Sequence, residues 1–172
     1  MVLPEPTSRL TFRLMEMADL DDMTAVLSAF DPVRPGRRRR TRDDAVRWIE
    51  WQARNYADHD FGLWVVETHT GEFVGDCGLT MQDVEGTAHV EVGYHVMPGM
   101  RRQGYATEAA TAVRDCAAEH GVEHLIALIR PDNSPSQGVA RNLGMHLERT
   151  VWRQGGDALV FGRRLQRAAQ NR

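Results

Sequence analysis

Residues 88–143 alternate between strand-like and helix-like patterns, and this order strongly limits the folds open to the chain. The pattern predicts a strand over Ala88–Met97, a helix over Gly104–His120, a strand over His124–Ile129 and a helix over Pro135–Leu143. Two strands joined through a helix run parallel, and the crossover is right-handed in nearly all proteins. Both helices therefore begin beyond the carboxyl ends of neighbouring strands, so two helix N-termini face one crevice.

The rest of the chain supplies antiparallel strands, two more helices and a closing hairpin. Predicted strands cover Arg9–Leu14, Phe61–Thr68, Glu72–Met81, Leu147–Trp152 and Ala158–Leu165, and predicted helices cover Ala18–Phe30 and a segment that begins at Thr41. Thr41 and Asp44 form a variant capping box, and Ala45, Trp48, Ile49 and Gln52 mark the inner side of that helix. A chain of 172 residues, 42% of them hydrophobic, is the size of one domain. We therefore predict a single α+β domain over residues 1–172, with a mixed sheet.

Charge and composition argue against several kinds of partner. The formal net charge of -3 gives no general attraction to nucleic acids or to anionic membranes. No apolar run approaches the roughly 18 residues that span a bilayer, and the N-terminus lacks the order of a signal peptide, so we expect a cytoplasmic protein. Cys77 and Cys116 belong to no CxxC pair and are predicted to be buried free thiols. His89 and His95 lack an obvious third ligand, so no metal site is predicted.

The segment between the first crossover strand and its helix has the features of an anion site. A helix N-terminus offers unpaired N–H groups and a positive dipole, Gly104 lets the backbone approach a ligand, and Ala106 keeps the next inward position small. The sequence has no GxxxxGK[ST] and no GxGxxG after a strand, which argues against a P-loop and against a dinucleotide fold. A strand-to-helix turn with no ligand is the alternative.

The segment Arg101–Ala106, RRQGYA, resembles the RxxGxA pyrophosphate loop of the GNAT superfamily, the acetyl-CoA-dependent N-acetyltransferases. Further matches are the strand ending at Val96 and Pro98, the NxxS spacing of Asn133 and Ser136, and the Leu143-Gly144 pair. Residues 9–165 follow the element order of that fold. The stretches RLTFRLMEMADLDDM and EVGYHVMPGMRRQGYATEA are similar to the RimJ/RimL-like branch, the ribosomal-protein N-terminal acetyltransferases.

The resemblance implies a GNAT fold, with a mostly antiparallel sheet of about seven strands and an acetyl-CoA-binding core formed by the four elements of residues 88–143, β4-α3-β5-α4 in chain order. It implies acetyl-CoA as cosubstrate and no metal. The residues that it places against CoA are Val96, Met97, Arg101, Arg102, Gln103, Gly104, Tyr105, Ala106, Thr107, Asn133 and Ser136. In this fold the fourth strand bulges and splays from the fifth. Gly93 suggests the place of the bulge, since a glycine in a strand often marks either a bulge or a close backbone approach.

Glu91 is the first candidate for a general base, because a primary amine is mostly protonated at neutral pH. Strand alternation places His89, Glu91, Gly93 and His95 on one face and Val90, Val92, Tyr94 and Val96 on the other, so a polar row could line the cleft. A solvent-facing strand is the alternative. His95 is the second candidate, as a base or as a substrate contact. The oxyanion is expected to receive a backbone N–H from the region of His95 and Val96.

The leaving sulfur has no obvious acid in the sequence. Many members of the family place a tyrosine seven residues after the motif asparagine, and here that position is Ala140. Ser136 could hydrogen-bond the sulfur instead. The alternative for Ser136 is a structural role in a helix start, where Ser134, Pro135 and Gln137 are predicted to form a capping arrangement. Asn133 is either a turn residue or a contact for the pantetheine arm.

These features predict an N-acetyltransferase that transfers acetyl directly, in a ternary complex, to a primary amine of a small molecule or of a protein N-terminus. The alternative function is a CoA-binding regulatory module with little catalysis, because Ala140 stands at the position of the usual acid. A homodimer is among the expected assemblies. The resemblance places the segment between the first two helices, here Asp31–Arg40, at the acceptor side of the cleft. Its five arginines, Arg34 and Arg37–Arg40, then predict a preference for acidic acceptors. If these arginines only solvate the loop, no such preference follows.

Overall fold

The structure, a computed structural model, describes residues 3–30, 38–153 and 155–166. Its strands are β1 (Leu10–Arg13), β2 (Leu63–Thr68), β3 (Phe73–Val84), β4 (Thr87–Val96), β5 (His124–Ile129), β6 (His146–Arg153) and β7 (Gly156–Arg164). Its helices are α1 (Leu20–Phe30), α2 (Arg42–His59), α3 (Tyr105–Glu119) and α4 (Ser134–Asn142). The predicted strands and helices are all present, with ends that differ by a few residues.

The seven strands form one sheet in the order β1-β2-β3-β4-β5-β7-β6. Strands β4 and β5 run parallel, and the other neighbouring pairs are antiparallel. The closing hairpin joins the sheet through its second strand, because β7 lies between β5 and β6. This topology confirms the predicted α+β fold with a mixed, mostly antiparallel sheet. Within the described ranges, no helix is both long and apolar enough to cross a membrane.

Helix α2 begins where the capping box predicts and carries two tryptophans. The Thr41 hydroxyl accepts the N–H of Asp44, and the Asp44 carboxylate accepts the N–H of Thr41 at 2.8 Å. Ala45, Ile49 and Gln52 are buried on the inner side of the helix. Trp48 and Trp51 are only partly buried, so α2 presents aromatic surface beside the sheet as well as apolar contacts to the core.

Strands β4 and β5 separate soon after they meet. Within the described residues they pair only at Val90 with Leu125 and at Glu91 with Ile126, and β4 then diverges from β5. The N–H of Met97 bonds to Val74 on β3, so by strand alternation the peptide groups of Val96 and Tyr94 point away from β3, towards the gap. The predicted splay of the two parallel strands is therefore present.

The predicted bulge at Gly93 is wrong. The register of β3 against β4 is uninterrupted from Val84 opposite Thr87 to Gly75 opposite Val96, and Gly93 lies directly opposite Gly78. A close approach explains the glycine instead, because a Cβ on Gly93 would lie 3.2 Å from Leu63 Cδ2. The register shifts occur elsewhere, between Val66 and Glu67 on β2 and between Leu147 and Arg149 on β6.

Glu108, in the first turn of α3, ties this helix to the N-terminal segment. Its carboxylate accepts hydrogen bonds from the Thr7 hydroxyl at 2.6 Å, from Arg9 Nε at 2.7 Å and from the Arg9 backbone N–H at 3.1 Å. Burial alone would raise the pKa of Glu108, but the hydrogen bonds from Thr7 and Arg9 outweigh it and hold that pKa below its usual value. The ionised form therefore stabilises the fold.

We expect Glu108→Gln to lower the free energy of unfolding by about 1 to 2 kcal/mol at pH 7, because charge-assisted hydrogen bonds are lost. A carboxyl whose pKa is lowered by folding stabilises the protein above its unfolded pKa, near 4.3, and this stabilisation disappears as the pH falls through the folded value. Denaturant unfolding at pH 7 and in acid measures the difference. Glu119→Gln, at the exposed end of α3, is the control, and equal stability of the two variants at pH 7 would contradict the anchoring role.

Candidate active site

Two cavities meet at the carboxyl ends of β4 and β5. The larger cavity, of about 640 Å³, is bounded by the end of β4, the loop before α3 and the first turns of α3 and α4. The smaller cavity, of about 300 Å³, is bounded by α2, β3, β4 and β5. Both cavities are bordered by the same five residues: Tyr94, His95, Arg130, Asn133 and Ser136. A molecule in one cavity can therefore meet a molecule in the other at these side chains.

The loop before α3 shapes one wall of the larger cavity. Gly104 is the N-cap residue of α3 and has a φ of +86°, a left-handed conformation that favours glycine. The first intrahelical bond runs from the N–H of Glu108 to the carbonyl of Gly104 at 3.0 Å. The N–H groups of Tyr105, Ala106 and Thr107 in the first turn consequently have no acceptor within the helix.

Most of the residues predicted to contact CoA border the larger cavity. They are Val96, Arg101, Arg102, Gly104, Tyr105, Ala106, Thr107, Asn133 and Ser136. Met97 and Gln103 do not border it: the Met97 N–H bonds to β3, and the Gln103 side chain donates to the carbonyl of Gly99 at 3.2 Å. The sequence motif could not separate these two positions from their neighbours, because it marks the loop and not the direction of each side chain.

Arg9, which no sequence pattern singled out, supports this loop. Its guanidinium donates to the carbonyl of Gln103 at 3.0 Å, lies 4.5 Å from the ring centroid of Tyr105 and pairs with Glu108 at 2.5 Å. Arg101 supports the loop from the other side by donating to the carbonyl of Val96 at 3.0 Å. Cationic side chains, first-turn N–H groups and a glycine at the closest approach suit a diphosphate group, so this wall fits the pyrophosphate of CoA.

The smaller cavity combines aromatic and polar walls. Trp48 and Trp51 meet edge to face with ring centroids 5.2 Å apart, and both border the cavity. Thr80, Gln82 and Glu91 supply polar groups from β3 and β4. Of the cavity residues, the sequence had pointed to Glu91, His95, Asn133 and Ser136. Arg130 directly follows a parallel strand, which is where ligand-binding residues of such sheets lie, and this signal could have identified it.

Glu91 lies in the smaller cavity with both carboxylate oxygens hydrogen-bonded. Oε1 accepts the N–H of Leu128 at 3.1 Å, and Oε2 accepts the hydroxyl of Thr80 at 3.2 Å. Thr80 in turn accepts a hydrogen bond from Gln82 at 3.1 Å. Burial raises the pKa of Glu91, while the hydrogen bonds from Leu128 and Thr80 partly offset that rise. A carboxylate of raised pKa next to an open cavity is chemically able to accept a proton.

His95 lies where the two cavities join and is held from behind by an aspartate. Its Nδ1 is 2.6 Å from Oδ1 of Asp76, the residue directly opposite on β3. The other Asp76 oxygen, Oδ2, accepts a hydrogen bond from Trp48 Nε1 at 3.1 Å. Asp76 is 1% exposed, and the ring of Trp48 meets that of His95 edge to face at 5.4 Å. Glu91 and His95 are four residues apart on one strand, which separates their Cα atoms by about 13 Å.

The start of α4 is capped by Asn133, and not by Ser134 as predicted. Asn133 Oδ1 accepts the N–H of Ser136 at 3.2 Å, which leaves Ser134 and Pro135 as the first two helical residues. An asparagine oxygen at the N-cap reaches the third N–H of a helix, and this explains the shift of one residue. Asn133 is thus a structural cap that also borders both cavities.

The residue at the usual acid position cannot act in either cavity, because Ala140 has no proton to donate and is fully buried. Tyr94 instead brings a hydroxyl to the junction, where it donates to the carbonyl of Ser136 at 2.9 Å, and burial raises the pKa of this phenol. Among the residues that the structure describes, no group of three His, Cys, Asp or Glu side chains is placed to hold a metal ion.

Comparisons with known proteins agree with this geometry. Residues 9–146 match the family model "Acetyltransferase (GNAT) domain". The uncharacterized protein YkkB of Bacillus subtilis (strain 168) is 35% identical over 129 residues, which are 74% of this chain and 73% of YkkB. An acetyltransferase from Agrobacterium tumefaciens C58 superposes with a TM-score of 0.75 at 26% identity, over 95% of each chain. A GnaT-family acetyltransferase from Bordetella pertussis has a TM-score of 0.78 at 24% identity, over 92% of this chain and 98% of the other.

Two further solved structures of the same fold contain the cofactor. Salmonella typhimurium yncA was solved with acetyl-CoA and superposes with a TM-score of 0.70 at 18% identity, over 95% of this chain and 98% of the other. RimL, a ribosomal L7/L12 alpha-N-protein acetyltransferase, was solved with CoA and has a TM-score of 0.75 at 15% identity, over 97% and 100% of the two chains. With the family match over residues 9–146 and a cavity wall that fits a pyrophosphate, the chain belongs to the GNAT acetyltransferase family and uses acetyl-CoA.

Proposed function

We propose that the protein is a cytoplasmic N-acetyltransferase that transfers acetyl from acetyl-CoA directly to a primary amine while both substrates are bound. The observation that carries this proposal is the junction of the two cavities at Tyr94, His95, Arg130, Asn133 and Ser136. A donor in the larger cavity and an acceptor in the smaller one come within reach of each other there, so no acetylated enzyme is needed.

The larger cavity holds the acetyl donor in this proposal. Arg101, Arg102 and the first-turn N–H groups of α3 bind the pyrophosphate. The peptide groups of Tyr94 and Val96, which face the gap between β4 and β5, pair with the amides of the pantetheine arm. The arm then directs the thioester to the junction, where a backbone N–H near Val96 stabilises the oxyanion.

The smaller cavity holds the amine, and Glu91 removes its proton. The amine arrives as an ammonium ion, which a carboxylate attracts, and only its neutral form attacks the thioester. Support comes from the position of Glu91 on the wall of this cavity and from the raised pKa that burial gives it. Because its pKa is raised, Glu91 accepts a proton from the substrate ammonium more readily than a glutamate of ordinary pKa does.

The acceptor that we propose is an α-amine of a peptide or protein N-terminus, as in the RimJ/RimL-like branch. The sequence stretches that resemble that branch support this choice, and so does the likeness to RimL, whose own acceptor is a ribosomal protein. An α-amine has a pKa near 8, so its deprotonation demands less of a site than that of a lysine amine. A small-molecule amine remains the second class of acceptor for the same cavity.

Arg40 is the arginine of the 38–40 segment that we propose to favour acidic acceptors. Arg34 and Arg37 lie outside the described residues, and Arg38 is paired with Asp44 at 2.6 Å. The guanidinium of Arg40 lies 5.7 Å from the ring centroid of Trp48, which borders the smaller cavity. Arg40 therefore supplies positive charge near the mouth of this cavity.

We expect Arg40→Gln to raise the KM for an acidic N-terminal peptide about three- to fivefold and to leave the KM for acetyl-CoA unchanged, since one partly screened charge pair contributes up to about 1 kcal/mol. The effect shrinks as salt rises. Steady-state kinetics at two salt concentrations measure it. Arg39→Gln is the control, because it removes the same charge from an exposed side chain. Equal acceptor KM values for the two variants would refute the preference.

Release of CoA thiol tests the proposed function as a whole. The protein is mixed with acetyl-CoA and a panel of acidic and basic N-terminal peptides, polyamines and aminoglycosides. Amine-dependent thiol release with at least one acceptor supports an enzyme. Tight CoA binding with no thiol release from any acceptor favours a CoA-binding regulatory module, for which the buried Ala140 at the usual acid position is the specific argument.

A further inference from the structure

We propose that Asp76 and His95 form a proton-donating pair, in which His95 Nε2 protonates the departing sulfur of CoA and Asp76 positions the ring for that step. This inference rests on the proposed acetyl transfer and names the acid that Ala140 cannot supply. Asp76 is a positioning residue here, because it acts through His95.

The location of His95 suits a group that acts on the sulfur. His95 borders both cavities, whereas Glu91 borders only the smaller one, where the amine binds. The Cα atoms of the two residues are about 13 Å apart along β4. A proton acceptor for the amine and a proton donor for the sulfur are therefore separate groups on the same face of the strand.

The contacts of Asp76 fix the orientation of the imidazole. The buried carboxylate holds His95 Nδ1 at 2.6 Å and receives the Trp48 N–H on its other oxygen at 3.1 Å. Neither Asp76 oxygen can turn away without losing one of these bonds. With Nδ1 engaged, His95 meets a reacting atom through Nε2. A carboxylate in this arrangement selects the tautomer of the ring and stabilises the imidazolium, which is the form that can donate.

The reaction balances with these two groups. Glu91 takes one proton from the ammonium, and the amine nitrogen attacks the thioester carbon. The C–S bond then breaks, the electron pair goes to sulfur, and His95 gives its Nε2 proton to form the thiol. The new amide nitrogen and Glu91 each release one proton to solvent, and neutral His95 takes one proton back from solvent. One turnover yields one amide, one thiol and one proton.

The groups around His95 come from several elements. Asp76 faces it from β3, Glu91 and Tyr94 lie on its own strand, and Arg130 follows β5 at the same junction. Arg40 lies beyond Trp48 on the α2 side. In the proposed assignment, turnover falls in acid as Glu91 becomes protonated.

An acetyl donor whose thiolate leaves without a proton distinguishes an acid role of His95 from a base role. We expect His95→Gln to lower kcat with acetyl-CoA about thirtyfold or more at pH 7 and to keep the acid limb of the pH profile, which belongs to Glu91. With S-(4-nitrophenyl) thioacetate, whose thiolate leaves unprotonated, the same variant should stay within about threefold of the wild-type rate. Equal penalties with both donors, or loss of the acid limb, would overturn the inference.

The same measurements keep failure of the inference distinct from failure of the proposed function. If the wild-type protein shows no amine-dependent thiol release, the proposed acetyl transfer itself is refuted. If the wild-type protein turns over but His95→Gln loses the same factor in rate with both thioester donors, only the acid role of His95 is refuted. Affinity for CoA, measured by calorimetry, should be the same in wild type and variant, which shows that the variant is folded and binds the donor.

Asp76→Asn tests the positioning role. Trp48 donates to one Asp76 oxygen, so the new amide directs its own oxygen to Trp48 and its NH₂ group to His95 Nδ1. Nδ1 can accept that NH₂ group only when the ring is neutral, so the donating imidazolium is disfavoured. We expect kcat to fall at least tenfold with acetyl-CoA. In a Trp48→Phe background the amide can turn its oxygen to His95, and the cost of Asp76→Asn should drop at least threefold. The same cost in both backgrounds would reduce Asp76 to a structural residue.

Discussion

Gly104→Val should weaken CoA binding by at least a hundredfold, the largest loss of affinity that we expect from one substitution. Gly104 has a φ of +86°, and a β-branched residue is a genuine outlier in that region. The added Cβ would lie 3.3 Å from Arg9 Nη2, so the arginine that supports the carbonyl of Gln103 must also shift. Both effects displace the N–H groups that bind the pyrophosphate.

Gly86→Val is the matched control for this substitution. Gly86 lies in the turn between β3 and β4 with a φ of +81°, and a Cβ there meets no atom within 4 Å. It therefore carries a similar backbone penalty, of order 1 to 3 kcal/mol, at a distance from the loop. Calorimetry with CoA should give wild-type affinity for Gly86→Val. Wild-type affinity for Gly104→Val would mean that the loop does not bind the pyrophosphate.

Local patterns predicted most of the fold because each element carries its own signal. The capping box at Thr41 and Asp44 marks the start of α2, and glycines mark the ends of α3 and α4. The prediction of a bulge at Gly93 failed because a glycine in a strand has two physical explanations. The structure gives the close approach of Leu63, a contact between β2 and β4 that no local pattern contains.

The candidate site divides in the same way between local and long-range features. The loop Arg101–Thr107 is continuous in sequence and was predicted as a unit. The pairing of Asp76 with His95 joins residues 19 positions apart, and Trp48 contacts both of them from helix α2. Such contacts depend on the register of β3 against β4 and on the packing of α2, which the sequence pattern does not determine. Trp48 accordingly looked like an inner-face residue of its helix.

Glu91→Gln should lower kcat about a hundredfold and leave the affinity for acetyl-CoA intact. Glutamine has nearly the same shape and can still accept the N–H of Leu128, but it cannot take a proton from the ammonium. Burial raises the pKa of Glu91, so wild-type turnover should fall as the pH drops through that raised value, and the variant should lack this acid limb. Profiles of kcat against pH measure both effects.

Two controls distinguish a proton acceptor from a structural residue at this position. Glu91→Asp keeps a carboxylate and should recover part of the lost turnover. Glu85→Gln, at an exposed position in the turn between β3 and β4, should behave as wild type. The carboxylate of Glu91 also joins β4 to β5 by accepting the N–H of Leu128, so a purely structural role predicts lower thermal stability in Glu91→Gln with an unchanged pH profile. Normal turnover of Glu91→Gln at pH 7 would move the base to another group, and the absence of any acid limb in wild type would do the same.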